Sequence, residues 1–181
     1  MSETTAVGPL SKSVDALRTT FADSARFRTW VGAADQAEAL ERVHRFAIPP
    51  PRIGSEHSID ELRAARPYAA VWTSPEDGAF GMDHSSSGDS FQYQHAGQLA
   101  ARLVWDVPAE IADNPAEIFV RFNNELGVIL TEMGDLAADG SGTHLAFSSV
   151  RTTEGPARVH PKLVPRLGDF VEVDLLFLWR T

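Results

Sequence analysis

The sequence predicts an α+β fold: an antiparallel sheet of about five strands packed on one long helix, with additional N-terminal helices. Three observations lead there. Residues 168–181 place Val171, Val173, Leu175, Phe177 and Trp179 on one face at period two, as a strand does. Ile118, Phe119, Phe122, Leu126, Ile129, Leu130 and Met133 recur at spacings of three and four, the pattern of a long amphipathic helix. Strand-like segments are grouped and helical ones stand apart from them, which argues against a parallel doubly wound sheet, because that needs alternation.

A length of 181 residues suits one domain with a real core. The chain divides into a flexible N-terminus over 1–10 and a single domain over 11–181. Within that domain, 11–66 is the helical part and 67–181 carries the sheet and the long helix.

Gly8-Pro9 punctuates the small, polar start, and a first helix is expected from near Ser11 or Ser13, with Val14, Leu17 and Phe21 on one face. Ser24 is placed to cap a short continuation carrying Phe27, Trp30 and Val31, which Gly32 ends. Asp35, with Glu38 three residues on, has the form of a capping box and opens a helix expected to run to about His44. Pro49, Pro50 and Pro51 forbid helix and set a stiff extended connector. Ser58 and Glu61 repeat the capping pattern for a short helix over 59–65, stopped by Pro67.

Residues 68–73 read as the first strand. Residues 74–90 gather Pro, Gly, Ser and Asp with little to bury, and are expected to form one long mobile loop. Phe91, Tyr93 and His95 alternate with glutamines as in an exposed or edge strand. Ala96-Gly97 is expected to turn the chain, so that 98–107 returns as the second arm of a hairpin. Asn114, Pro115 and Glu117 supply an N-cap, a first-turn proline and a reciprocal carboxylate, and so open the long helix. That helix is expected to lie across the sheet, with Gly127 marking a close crossing. Residues 139–142 then turn, 143–152 form a strand and 154–167 a second loop. The closing strand completes the core and holds the C-terminus in the sheet. On its other face Glu172 and Asp174 are expected to meet solvent or a neighbouring subunit, and Leu176 and Leu178 to lie beneath helix.

Composition narrows the function classes. Hydrophobic residues at 43% and charged ones at 23% are those of an ordinary globular protein. A net charge of −9, with the 16 Lys and Arg scattered, argues against a nucleic-acid backbone as the main partner. With no cysteine, disulfides, thiolate metal sites and a Cys nucleophile are excluded. The start lacks a signal-peptide pattern and no run approaches the roughly 20 apolar residues of a spanning helix, so a soluble protein made in the cytosol is expected.

The best catalytic candidates are Asp83, His84, Ser85, Ser86, Asp89 and His95. Ser, His and Asp can build a nucleophilic triad, but no serine sits in a nucleophile-elbow pattern. Asp83, His84, Asp89 and His95 have the donor types for a metal, but no ligand pair has helical i, i+4 spacing. His44, His57, His144 and His160 are dispersed. Gly140-Ser141-Gly142 lacks the context of a phosphate cradle, and Asp106, Glu110 and Asp113 flank a helix start where the dipole favours them. No catalytic, cofactor or metal site is assigned. The residues suit a protein that works by contact, with Asp83, His84, Phe91, Tyr93, Arg151, Arg158 and Glu172 as interface candidates. A small metal-dependent hydrolase using the 83–95 region is the enzymatic alternative.

Three stretches resemble a known group. Residues 27–44 are similar to the N-terminal helical part of small proteins encoded among the tail genes of tailed phages and prophages. Residues 66–72 and 168–179 resemble the first and last strands of the same proteins. The order between them is also alike: a hairpin, an Asn-containing long helix, a strand and a Gly-Pro-x-Arg loop, here Gly155 to Arg158. The resemblance spans roughly 20–181 and is best described as one to tail terminator, or tail-completion, proteins of long-tailed phages. It implies an α+β virion subunit that forms a hexameric ring on the finished tail tube, stops its polymerisation and presents a surface to the head–tail connector. The implied partners are other copies of the chain, the tail tube protein and connector proteins, with DNA passing through without specific binding; the net charge of −9 adds the expectation of an acidic wall that repels its phosphates. The group implies no catalytic residues and no cofactor. This chain departs from its smaller members in the longer helical region and the Pro49–Pro51 connector, which leaves another neck or baseplate part as the alternative.

Overall fold

In the computed structural model, residues 9–45, 64–73, 80–87, 90–139, 142–152, 162–163 and 170–180 are described. The expected Pro49–Pro51 connector, most of the 59–65 helix and Arg158 lie outside them.

Two long antiparallel strands form the spine of the sheet: β4 (Ser90–Asp106) and β7 (Phe170–Arg180), paired from Ala96↔Arg180 to Asp106↔Phe170. On the far side of β4, its second half pairs with β2 (Tyr68–Thr73) and its first half with β3 (Phe80–Ser87). On the far side of β7 lie β5 (Phe147–Thr152) and the short β6 (Lys162–Leu163). β1 (Val43–Arg45) adds to β2 in parallel, and every other pairing is antiparallel.

The helices pack on one face. α1 (Pro9–Asp23) begins two residues before the expected Ser11. α2 (Ala25–Val31) and α3 (Gln36–Glu41) follow it. After a short 3-10 turn at Ala109–Ile111 comes α4 (Pro115–Ala138). α4 lays Ile118, Phe122, Leu126, Ile129 and Met133 onto Leu99, Ala101 and Leu103 of β4 and Val171, Val173, Leu175 and Phe177 of β7. Leu17 and Phe21 of α1 and Phe27 of α2 complete this core, with Phe21 tilted against Phe27 at 5.3 Å.

Local chemistry explains the helix ends. Ser24 caps α2 by accepting from the Phe27 N–H, and Gly32 ends it in the left-handed conformation at φ 70°. Asp35 accepts from the Glu38 N–H, while the Glu38 carboxylate reaches back to the Ala34 N–H, one residue beyond the usual box. Asn114 accepts from the Glu117 N–H, but Glu117 turns to Arg121 at 2.7 Å and leaves the reciprocal bond unmade.

Ser24 also donates to the Glu132 carboxylate of α4 at 2.7 Å, so one buried hydroxyl serves a cap and a helix–helix contact. Burial works against the Glu132 charge, yet hydrogen bonds from the Arg26 N–H, the Ser24 hydroxyl and the Ala25 N–H hold its pKa below 4.5. A carboxylate with a depressed folded pKa stabilises above its unfolded value and loses that contribution as pH falls through the folded one. Ser24→Ala is therefore expected to cost about 2 kcal/mol near neutrality, and the gap from wild type to narrow in acid below the Glu132 pKa. Denaturant titrations across that range check both.

Five expectations change. α3 ends at Glu41 rather than running to His44, because the next residues are taken by strand pairing. The Ala69 N–H donates to the Arg42 carbonyl at 2.9 Å, and Arg18 of α1 donates to the carbonyls of Val43 and Leu40. The expected loop over 74–90 contains β3, and Ala96-Gly97 is no turn: the chain runs straight through as β4. Gly97 there is held between Phe80 and Trp179, two aromatic positions in register with it. Residues 143–146 precede β5 instead of belonging to it, and the Leu145 N–H is tied to the Thr20 hydroxyl of α1. Gly127 marks no crossing within the described chain, since a Cβ built there meets nothing within 4 Å.

Candidate interaction surfaces

On the face away from the described helices, β2, β4 and β7 assemble a polar cluster bedded in apolar side chains. Register places Arg102 beside Ala70 on one neighbour and Asp174 on the other. The guanidinium grips Asp174 in bidentate fashion, Nε to Oδ1 at 2.7 Å and Nη2 to Oδ2 at 2.8 Å. Glu172 stands 3.9 Å from Nη1, and the Trp72 ring lies 6.0 Å from the guanidinium carbon. The hydrogen bonds to Asp174 raise the Arg102 pKa, so it stays charged. Burial pushes the neighbouring Tyr68 hydroxyl up as well. Around this cluster Tyr68, Ala70, Val104, Phe170 and Leu176 are buried, and Arg66 stacks over the Phe170 ring at 4.7 Å.

This bears on two expectations for the closing strand. Leu176 and Leu178 do not lie beneath the described helices; the opposite face does, through Val171, Val173, Leu175, Phe177 and Trp179. Nor are Glu172 and Asp174 simply turned to solvent, because both carboxylates surround Arg102 and are only about a quarter exposed, at 24% and 23%.

The other interface candidates, Arg158 aside, fall on β3, β4 and β5. Asp83 and His84 are on β3, opposite Gln94 and Tyr93, and Phe91 is opposite Ser86. Arg151 is on β5, opposite Leu176. His95 of β4 is opposite Met82, and Ser85 is opposite Gln92, while Asp89 lies outside the described residues.

Away from the hairpin, His144 is set between Asp23 at 2.9 Å and Asp139 at 3.4 Å, fastening the segment before β5 to the ends of α1 and α4. The role is structural, at helix ends, and three elements meet through it. Among the described residues no helix is long and apolar enough to cross a membrane.

No protein-family model matches the sequence, nor does any curated protein sequence. Among solved structures, the chain is similar to one from the virion of a native gene transfer agent particle, at 14% identity and a TM-score of 0.40. That alignment covers 95% of this chain and 96% of the other. At this identity and score the likeness assigns no role.

Proposed function

We propose that the chain is a virion structural protein at the head–tail junction of a long-tailed phage or prophage, a tail terminator that caps the tail tube as a ring and joins it to the connector. The observation that supports this most is where the resembling stretches fall. Residues 27–44 form α2, α3 and β1, 66–72 lead into and form most of β2, and 168–179 lead into and form most of β7. β2 and β7 flank the same central strand, so stretches far apart in sequence are parts of one sheet and its helical cover. The partners in this reading are other copies of the chain, the tail tube protein and the connector, and no catalytic step is assigned to any residue.

Mixing the purified chain with tail tubes tests it. Negative-stain images are expected to show rings seated on tube ends, and tube growth should stop when they form. A chain that neither forms rings nor associates with tubes overturns the reading. One that labels a different part of an assembled particle reassigns it to another neck or baseplate component.

A further inference from the structure

Two helices bring their C-termini to His144. Asp23 is the last residue of α1, and its Oδ2 lies 2.9 Å from His144 Nε2. Asp139 follows the last residue of α4, and its Oδ2 lies 3.4 Å from Nδ1. A helix C-terminus carries the negative end of the helix dipole, so two dipoles and two carboxylates converge on one ring. Neither helix has a basic residue in its own last turn. Arg28 of α2 donates to the Ala22 and Asp23 carbonyls, and Lys12 of α1 lines a hollow beside the ring.

The two ring nitrogens are not equally served. Nε2 is hydrogen-bonded to Asp23. Nδ1 is buried, makes no hydrogen bond among the described residues, and has the Asp139 carboxylate as its neighbour. A neutral imidazole has a single N–H. With that proton on Nε2, Nδ1 turns a lone pair toward a carboxylate, and the contact is repulsive. With both nitrogens protonated, each faces an opposite charge as a donor. Imidazole is the side chain that ordinarily makes this change between about pH 5 and 8.

What the ring holds is a short strap. Residues 142–146 link α4 to β5, with Gly142, Thr143 and Ala146 exposed and Leu145 as the buried apolar anchor. The Leu145 N–H donates to the Thr20 hydroxyl of α1 at 3.0 Å, so two successive residues peg the strap to that helix. Between the strap and Lys12, Ser13 and Ala16 of α1 there remains a hollow of about 380 Å³. Packing there is incomplete, and a segment with few apolar contacts opens at low cost. The pegs hold it down more than the core does.

We infer that residues 142–146 form a pH-sensitive strap, clasped across α1 while His144 carries both ring protons and released as the Nδ1 proton is lost. Release leaves the sheet intact, because β5 is held to β7 by its own ladder. It uncovers Leu145 and the hollow beneath, and it loosens the link between the end of α4 and β5. The inference is independent of the ring reading, since it needs one copy of the chain and no partner.

Amide exchange in the full-length chain tests it, because the Leu145 N–H reports on the strap directly. Met133, fully buried on α4, reports on global opening. With intrinsic exchange divided out, Leu145 protection is expected to fall about tenfold between about pH 5.5 and pH 8, or about 1.4 kcal/mol, while Met133 protection holds. His144→Gln keeps a neutral donor toward Asp23 and cannot take up charge, so its Leu145 protection should be low and flat across the range. Asp139→Asn sets an amide donor against Nδ1 in place of the carboxylate, so its protection should stay high throughout. A tenfold fall surviving in either variant would overturn the inference. So would parallel falls at Leu145 and Met133 in the parent chain, which mean global opening. Leu145 protection that does not change with pH would overturn it too and leave His144 a fixed tie. The two amides of the parent chain decide the matter even where a variant fails to fold.

Discussion

Phe177→Ala is expected to lower the free energy of unfolding by about 4 kcal/mol, a large share of the roughly 5–15 kcal/mol that a domain possesses. Phe177 is fully buried on β7, between Leu99 of β4 and Val150 of β5 in register. Its ring takes Phe21 edge-on at 6.0 Å and Phe147 edge-on at 5.2 Å. Truncation therefore removes contacts to α1 and β5 as well as its own buried area, and backbone hydrogen bonds on both sides keep the strand from collapsing into the cavity. Leu178, the next residue and only half-buried, is the control: Leu178→Ala should cost about 1 kcal/mol or less. Guanidinium titrations of the two variants check the difference, and equal losses would mean that β7 is not sided as described.

The second large effect is expected from Arg102→Ala. Removing the guanidinium leaves Asp174 and Glu172 as neighbouring carboxylates, each about a quarter exposed, without their shared cation. A loss of about 2–3 kcal/mol is expected, below that of a fully buried pair because water still reaches the cluster. The paired replacement Arg102→Met with Asp174→Leu should recover most of it, since it leaves no unmatched charge at that position. Failure of the pair to recover stability would show that Trp72 and Tyr68 need the cation itself. Glu172→Lys belongs to the same balance. It sets a second cation near Arg102 and so disturbs folding as well as any subunit contact, and assembly assays on that variant need a stability measurement beside them.

The expectations that held rest on short-range chemistry. Ser24, Asp35 and Asn114 satisfy N–H groups three residues away, and Gly32 supplies a left-handed residue, so the ends of α2 and the starts of α3 and α4 are legible from a few letters each. The core face of α4 and the apolar 171–179 face of β7 follow from periodicity alone. The errors come from pairing at a distance. Gly, Asp and Ser are poor strand formers, and β3 is strand because β4 lies alongside it. Ala96-Gly97 has the composition of a turn, yet hydrogen-bonded neighbours on both sides hold it extended. Val43 would suit the end of a helix as well as a strand until Ala69, in register with it, decides the matter.

Sequence alone sufficed for the α+β class, the helix starts, the siding of the long helix and the apolar closing strand. Each follows from the intrinsic geometry of a segment, 3.6 residues per turn or two per pleat, and from caps that reach three residues. Tertiary structure decided the rest: which strands share the spine, that the polar segment 80–87 pairs with it as β3, and that Glu172 and Asp174 turn to Arg102. Those outcomes depend on residues brought together across dozens of positions, where the gain from pairing backbone and charge exceeds the local preference of any one segment.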